Sequence, residues 1–202
     1  MADRAFVAGL SGVPGSGKTT LMRLLLRHYP EAQAVYYDRF HPGMTETQIR
    51  DWFGRAGDPN EFALSDLIGE LTRQTQIQPG HQRRPLVLFE TAFGRAHRAT
   101  GAFIDFLIWI DTPLDIALSR ANLVFPDSVQ RDQAPNAASD FIKWLTQYMH
   151  DYPILHAMYL TLSERISSMA DLILDGTKPA EASAESVRKA LAAHGLEPRF
   201  PG

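Results

Sequence analysis

The chain has 202 residues, of which 45% are hydrophobic and 21% charged, enough for one α/β domain with a sizeable core. A net charge of −3 argues against binding nucleic acid or an anionic membrane through a general basic surface, and the lack of cysteine excludes disulfides, zinc–thiolate sites and thiol nucleophiles. Neither 18 consecutive apolar residues nor a signal-peptide pattern is found, so we expect a cytoplasmic protein without a membrane span.

The first predicted elements are a buried strand over 5–10 and a helix over 20–27, joined by the sequence GVPGSGKT at 12–19. This spacing matches the phosphate-binding loop, whose glycines let backbone N–H groups wrap around a polyphosphate. In that motif the lysine reaches the β- and γ-phosphates and the threonine hydroxyl ligates Mg²⁺. ATP and Mg²⁺ are therefore expected. The predicted nucleotide contacts are Gly12, Val13, Pro14, Gly15, Ser16, Gly17, Lys18, Thr19 and Thr20, with Thr19 also a metal ligand.

A short β-prone run over 34–37 is followed by Asp38. In open α/β sheets the carboxyl ends of the strands face the ligand crevice, so Asp38 is placed to meet a group approaching the γ-phosphate. It could orient or deprotonate a substrate hydroxyl, help to hold the water shell of the metal, or only cap a turn. Arg39 and His41 follow closely and are candidate acceptor contacts.

Two helical pieces are predicted over 45–76, broken around 54–60, and a buried strand over 86–89 then ends at Glu90. A carboxylate that closes a buried strand beside a phosphate-binding loop indicates a second magnesium ligand, direct or through water. Arg95 and Arg98 follow this strand, and we expect them to contact the acceptor. A phosphorylated or acidic acceptor would account for these arginines.

The second half contains predicted strands over 106–110 and 171–174 and helices over 114–122, 138–168 and 181–193. The helical pattern is interrupted over 125–136 and again near 152–153, and we place a candidate lid at about 121–137. Because a guanidinium fork suits phosphate oxygens, Arg120 and Arg131 are candidates to close on the nucleotide, with solvated surface charge as the alternative. Gly176 would let the backbone lie against adenine, or simply form a tight turn.

Strands alternate with helices five times, so we predict an α/β fold with a five-stranded parallel sheet covered by helices on both faces, as a single domain over 1–202. In the order of its motifs the chain resembles the phosphoribulokinase and uridine kinase group of P-loop kinases. The similar segments are GVPGSGKTT at 12–20, DRFHP at 38–42, DP at 58–59, the strand ending at Glu90, 107–120 and ADLILDGT at 170–177. This resemblance implies a catalytic Asp38 and a metal-binding Glu90. Uridine kinases carry a longer segment than the one at 76–85, with a Tyr–Asp pair that is missing here, which argues against uridine.

The resulting expectation is an ATP- and Mg²⁺-dependent phosphotransferase that acts on a hydroxyl of a small molecule, such as a nucleoside, sugar phosphate or vitamin. Lys18, Asp38, Arg120 and Arg131 would perform or support the transfer. The alternative is a nucleotide-binding regulatory ATPase or switch protein that has no metabolite acceptor. No basic stripe or aromatic platform favours nucleic acid, and association into a homo-oligomer is left open.

Overall fold

A computed structural model describes residues 4–77, 84–132 and 137–198. Within these ranges the strands are β1 (Phe6–Ser11), β2 (Gln33–Tyr36), β3 (Leu86–Glu90), β4 (Phe106–Asp111) and β5 (Leu172–Asp175). The helices are α1 (Lys18–His28), α2 (Glu46–Gly54), α3 (Ser65–Thr75), α4 (Arg98–Gly101), α5 (Leu114–Asp132), α6 (Ala137–Ser167) and α7 (Ala180–Ala193). None of the described helices is long and apolar enough to cross a membrane.

The five strands form one sheet in the order β2-β3-β1-β4-β5, and every neighbouring pair is parallel. The predicted five-stranded parallel sheet is therefore confirmed. Because the strands are parallel, their carboxyl ends meet at one edge. β1 is central, with β3 and β2 on one side of it and β4 and β5 on the other.

The central strands β1, β3 and β4 are buried on both faces, apart from Asp111 at the end of β4, and their side chains alternate between two apolar layers. In β3, Leu88 packs into the layer formed with α1 and α7, whereas Val87 and Phe89 pack into the layer formed with α2, α3 and α6. Full burial of one such side chain stabilises the fold by about 1.5–3 kcal/mol. The continuous apolar runs of the strands thus follow from a sheet that is covered on both sides.

The helix interruption predicted over 125–136 is wrong as far as residue 132, and the one predicted near 152–153 is wrong. α5 continues to Asp132, and α6 is one helix of 31 residues that contains Pro153. A proline inside a helix removes one backbone hydrogen bond and crowds the preceding turn. Packing of Leu155 and Met158, both buried in the core, holds the helix beyond that point. The candidate lid at 121–137 therefore covers the end of α5 and the first residue of α6, and residues 133–136 lie outside the described ranges.

Candidate active site

The phosphate-binding loop joins β1 to α1 at the centre of the sheet edge. Gly17 precedes α1 with φ of 100° and brings no side chain to cap the helix, so the first N–H groups of α1 remain for an anion. Gly15 has φ of 82°, and a Cβ at this position would collide with the carbonyl of Ala117 in α5. The loop is thus packed against α5 so tightly that only glycine fits at position 15. Of the other predicted nucleotide contacts, Val13 and Ser16 are buried while Pro14 and Thr20 are exposed.

Lys18 is folded over its own loop. Its Nζ donates to the carbonyl oxygens of Gly12 at 2.9 Å and Val13 at 3.1 Å. Burial lowers the pKa of Lys18, and the nearby carboxylates of Glu90 and Asp38 oppose that change. The ammonium group therefore sits in a low-dielectric position where a further negative charge, such as a phosphate, would stabilise it.

Glu90 ends β3 next to the loop. It is only 6% exposed, and the Thr19 hydroxyl donates to its Oε1 at 3.0 Å. Burial raises the pKa of Glu90, while Lys18 and the Thr19 hydrogen bond act in the opposite direction. A buried carboxylate beside a lysine and a hydroxyl, with its charged form disfavoured by burial, is typical of a functional position.

The oxygen atoms of Thr19 and Glu90 meet the chemical requirements of magnesium. Mg²⁺ in nucleotide sites is usually bound by one or two protein oxygens together with phosphate oxygens and water. The hydroxyl and carboxylate lie within hydrogen-bond distance of each other at the start of α1, where the phosphates are expected. The residues present therefore fit the predicted metal.

Asp38 lies in a 3₁₀ turn that directly follows β2, at the same sheet edge. Its side chain is exposed and lines a pocket of about 470 Å³ together with Lys18 and Glu90. Tyr37 also lines this pocket, and burial together with the charge of Asp38 raises its pKa to about 12. Tyr37 thus remains a neutral phenol at neutral pH. Three of the predicted site residues are brought together here although they come from separate parts of the sequence.

Arg95 is placed away from this pocket, contrary to the predicted acceptor contact. Its guanidinium donates to the carboxylate of Asp171 at 2.7 Å and to the carbonyls of Met169 at 2.8 Å and Asp105 at 3.0 Å. Asp105 and Asp171 stand just before β4 and β5, so these contacts are at the amino ends of the strands. Arg95 therefore joins the edge of the sheet opposite to the phosphate-binding loop and has a structural role.

The other predicted acceptor contacts are exposed and do not line the pocket. Arg39 stacks over the ring of Tyr36 with 4.4 Å between the guanidinium carbon and the ring centroid. His41 Nδ1 accepts a hydrogen bond from the Gly43 amide at 3.0 Å. Arg98 lies at the start of α4, where its positive charge helps to lower the pKa of Asp58.

Arg120 and Gly176 meet on the β4–β5 side of the loop. Arg120 Nη1 donates to the Gly176 carbonyl at 2.8 Å, and the Gly176 amide donates to the Asp111 carbonyl at 2.6 Å. Asp38 and Glu90 lie on the β2–β3 side, so Arg120 stands across the loop from them. The side chain of Arg131 lies outside the described part of the chain.

The sequence analysis missed the apolar residues that complete the pocket. Trp52, Phe93 and Trp109 line it, and so do Met158 and Ile166 from α6. In the sequence such residues are indistinguishable from core residues, because a pocket wall and a core have the same composition. The available signal was the position of Phe93, three residues after the acid that ends β3.

No family model matches the sequence, and no curated protein is significantly similar to it. The structure is similar to a sugar kinase from a Janibacter species, with a TM-score of 0.51 and 14% identity over 96% of this chain and 98% of the other. Shikimate kinase from Aquifex aeolicus gives a TM-score of 0.48 and 19% identity over 95% of this chain and 99% of the other. Shikimate kinase from Acinetobacter baumannii gives a TM-score of 0.47 and 16% identity over 96% of this chain and 97% of the other. Together with the parallel sheet and the loop between β1 and α1, the likeness to the sugar kinase shows that this chain has the P-loop kinase fold.

Proposed function

We propose that the protein transfers the γ-phosphoryl group of ATP to a hydroxyl group of a small molecule. One observation carries this proposal: Lys18, Glu90 and Asp38 line the same pocket, which continues beyond the phosphate-binding loop into a chamber between α2 and α6. A protein that uses nucleotide binding only as a switch has no need of such a chamber. The fold shared with a sugar kinase supports the same class of reaction.

In this reaction, each residue contributes through its position. The loop N–H groups and Lys18 would bind the β- and γ-phosphates, and Asp38 would accept the proton of the acceptor hydroxyl. The acceptor oxygen forms a bond to the γ-phosphorus, and the bond from that phosphorus to the bridging oxygen breaks, so that ADP leaves with the electron pair. Mg²⁺, held by Thr19 and Glu90, would neutralise charge on the phosphate oxygens.

The test is ADP formation in the presence of ATP, Mg²⁺ and a panel of hydroxyl compounds, with the Lys18→Ala protein as the blank. We expect one class of acceptor to raise the rate above the rate without acceptor and to gain the mass of one phosphate. ATP binding without any acceptor-dependent rate would contradict the proposal and favour a regulatory nucleotide-binding protein.

A further inference from the structure

The chamber beyond Asp38 has an aromatic wall, which we define as Trp52, Phe62 and Phe93. Their ring centroids are 5.0 Å (Trp52 to Phe62), 5.8 Å (Trp52 to Phe93) and 5.1 Å (Phe62 to Phe93) apart. Trp52 is 1% exposed, and its Nε1 donates to the Asp58 carbonyl at 3.0 Å. The indole N–H is thus already used, and the three rings, which are 1%, 5% and 6% exposed in Trp52, Phe62 and Phe93, pack mainly on one another and form a rigid apolar backing to the chamber, with no polar atom from Trp52.

Helix α6 provides a second apolar surface. Met158, Leu162 and Ile166 line the chamber and are spaced four residues apart, so they follow one face of the helix. Ser163 is the polar residue that α6 adds beside Tyr159. Burial raises the pKa of Tyr159, so its phenol stays neutral. Aromatic and aliphatic side chains therefore bound the chamber, and α6 adds the neutral hydroxyl groups of Tyr159 and Ser163.

Among the described residues that line the pocket, those with a charge are Lys18, Asp38 and Glu90, and all three belong to its phosphate end. Two of the arginines predicted to contact the acceptor make other contacts: Arg95 binds Asp171, and Arg39 stacks on Tyr36. An acceptor carrying a carboxylate or phosphate would lose its hydration against apolar walls and find two carboxylates nearby. Burial of such an unpaired charge is strongly unfavourable.

From this arrangement we propose that the acceptor is an uncharged hydroxyl compound with a flat, apolar body, that is, a neutral aromatic alcohol. Its ring system would lie between the aromatic wall and α6, and its hydroxyl would reach Asp38 beside the γ-phosphate. The volume of about 470 Å³ is in the range of small-molecule sites. This inference rests on the proposed kinase function, and it replaces the phosphorylated or acidic acceptor that the sequence suggested.

The test measures binding without turnover, by calorimetry, on the full chain saturated with Mg²⁺ and a non-hydrolysable ATP analogue. The probes are 2-naphthylmethanol, 2-naphthoate, which has the same rings and a charge, and the polar anions shikimate and ribose 5-phosphate. We expect 2-naphthylmethanol to bind at least tenfold more tightly than each of the other three. Tighter binding of any anion, or no binding of 2-naphthylmethanol, would overturn the proposal.

A matched pair of variants locates the binding. Leu162 lines the chamber, whereas Leu160 on the same helix is 53% exposed and does not. We expect Leu162→Gln to weaken the binding of 2-naphthylmethanol about tenfold and Leu160→Gln to leave it unchanged, with the affinity for the ATP analogue the same in both. Equal effects of the two variants would place the ligand elsewhere and contradict the proposal.

Acceptor-dependent ADP formation is measured separately, with ATP in place of the analogue. If the neutral alcohol binds in the chamber and no acceptor is phosphorylated, the kinase function fails while the chemistry assigned to the chamber stands. If an anionic acceptor is phosphorylated and the neutral alcohol does not bind, the kinase function stands and the acceptor class is wrong.

Discussion

The Thr19 hydroxyl donates to the Glu90 carboxylate, with Oγ1 3.0 Å from Oε1 and 3.2 Å from Oε2. The contact joins the first turn of α1 to the end of β3, across 71 positions of sequence. It exists because β3 lies directly beside β1 in the sheet, in a register that pairs Leu10 with Glu90. Two oxygen groups suited to magnesium therefore meet where the phosphate-binding loop enters its helix.

The first prediction concerns the charge of Glu90. Glu90→Gln keeps an oxygen that can accept the Thr19 hydrogen bond but removes the negative charge. Loss of an oxygen group that holds or orients a metal typically reduces metal affinity or activity by about 10- to 100-fold. We expect the Mg²⁺ concentration needed for half-maximal phosphotransfer to rise by that factor. Glu164→Gln, an exposed position on α6, is the control. An unchanged Mg²⁺ requirement in Glu90→Gln would remove Glu90 from the metal site.

The same substitution should stabilise the protein in a pH-dependent way. The raised pKa of Glu90 means that the folded state holds its proton more tightly than the unfolded state does. The free energy of unfolding therefore decreases as pH rises from the ordinary pKa of glutamate through the raised value. Glu90→Gln lacks this decrease, so it should be more stable than the parent above that window and should lose the advantage below it.

The measurement is urea unfolding of both proteins, without nucleotide, at a series of pH values from acid to neutral. Glu164→Gln should follow the parent throughout. If Glu90→Gln is less stable than the parent at neutral pH, the hydrogen bond from Thr19 outweighs the cost of burying the charge, and the assigned direction is wrong.

Asp38 is tested by Asp38→Asn, which keeps the size of the side chain and removes its ability to take a proton. General base catalysis contributes about 10²- to 10⁴-fold to a rate. We expect kcat to fall within that range while the Kd of ATP stays the same, because the role proposed for Asp38 is to act on the acceptor hydroxyl and not to hold the nucleotide. Asp140→Asn on the exposed surface of α6 is the control. Transfer at the parent rate would show that Asp38 has no role in the chemistry.

Arg95 is predicted to act in stability and not in acceptor binding. Arg95→Ala removes the charged hydrogen bonds to Asp171 and to the carbonyls of Met169 and Asp105. Because hydrogen bonds of charged groups contribute about 1.5–3 kcal/mol each when buried, and this side chain is 27% exposed, we expect a loss of about 1–3 kcal/mol in the free energy of unfolding.

Acceptor kinetics distinguish a role of Arg95 in stability from a role in acceptor binding. At a temperature where the variant is folded, its KM for the acceptor should equal that of the parent. Arg98→Ala, three residues further at an exposed position, should change neither stability nor KM. A raised KM for the acceptor in Arg95→Ala with undiminished stability would restore the acceptor role that the sequence suggested.

The sheet and the phosphate end of the site could be predicted because both depend on local patterns. Apolar runs indicated the buried strands, and parallel pairing brings the residues at their carboxyl ends together, as with Lys18, Asp38 and Glu90. The direction of an arginine could not be predicted in this way. Arg95 follows the same strand as Glu90, yet the 3₁₀ turn after Phe93 aims it at Asp171, a partner 76 positions away.

The chamber could not be predicted either, since its walls come from distant segments. Trp52 in α2, Phe93 after β3 and Ile166 in α6 become neighbours only through the packing of the helices on the sheet. Pro153 added to the difficulty, because it indicated a break in the helix that carries one wall. Packing against the core outweighs the local preference of proline there.

The last prediction compares two glycines of the phosphate-binding loop. Both have positive φ, 82° at Gly15 and 100° at Gly17, but a Cβ at Gly17 would have no heavy atom within 4 Å, whereas one at Gly15 would collide with the Ala117 carbonyl. Gly17→Ala should cost only the backbone strain, about 1–2 kcal/mol. Gly15→Ala should cost more, because the loop or α5 must also move.

Urea unfolding without nucleotide measures how much stability each variant loses. Urea unfolding with ATP measures how much ATP still stabilises each variant. ATP at 100 times its Kd should stabilise the parent by about 2.7 kcal/mol, and Gly17→Ala should keep more of that gain than Gly15→Ala. Gly15→Ala should lose it, since displacement of the loop moves the N–H groups that bind phosphate. If both variants respond alike, α5 moves away from the loop at little cost. The contact between Gly15 and Ala117 would then not couple the start of α5 to the nucleotide.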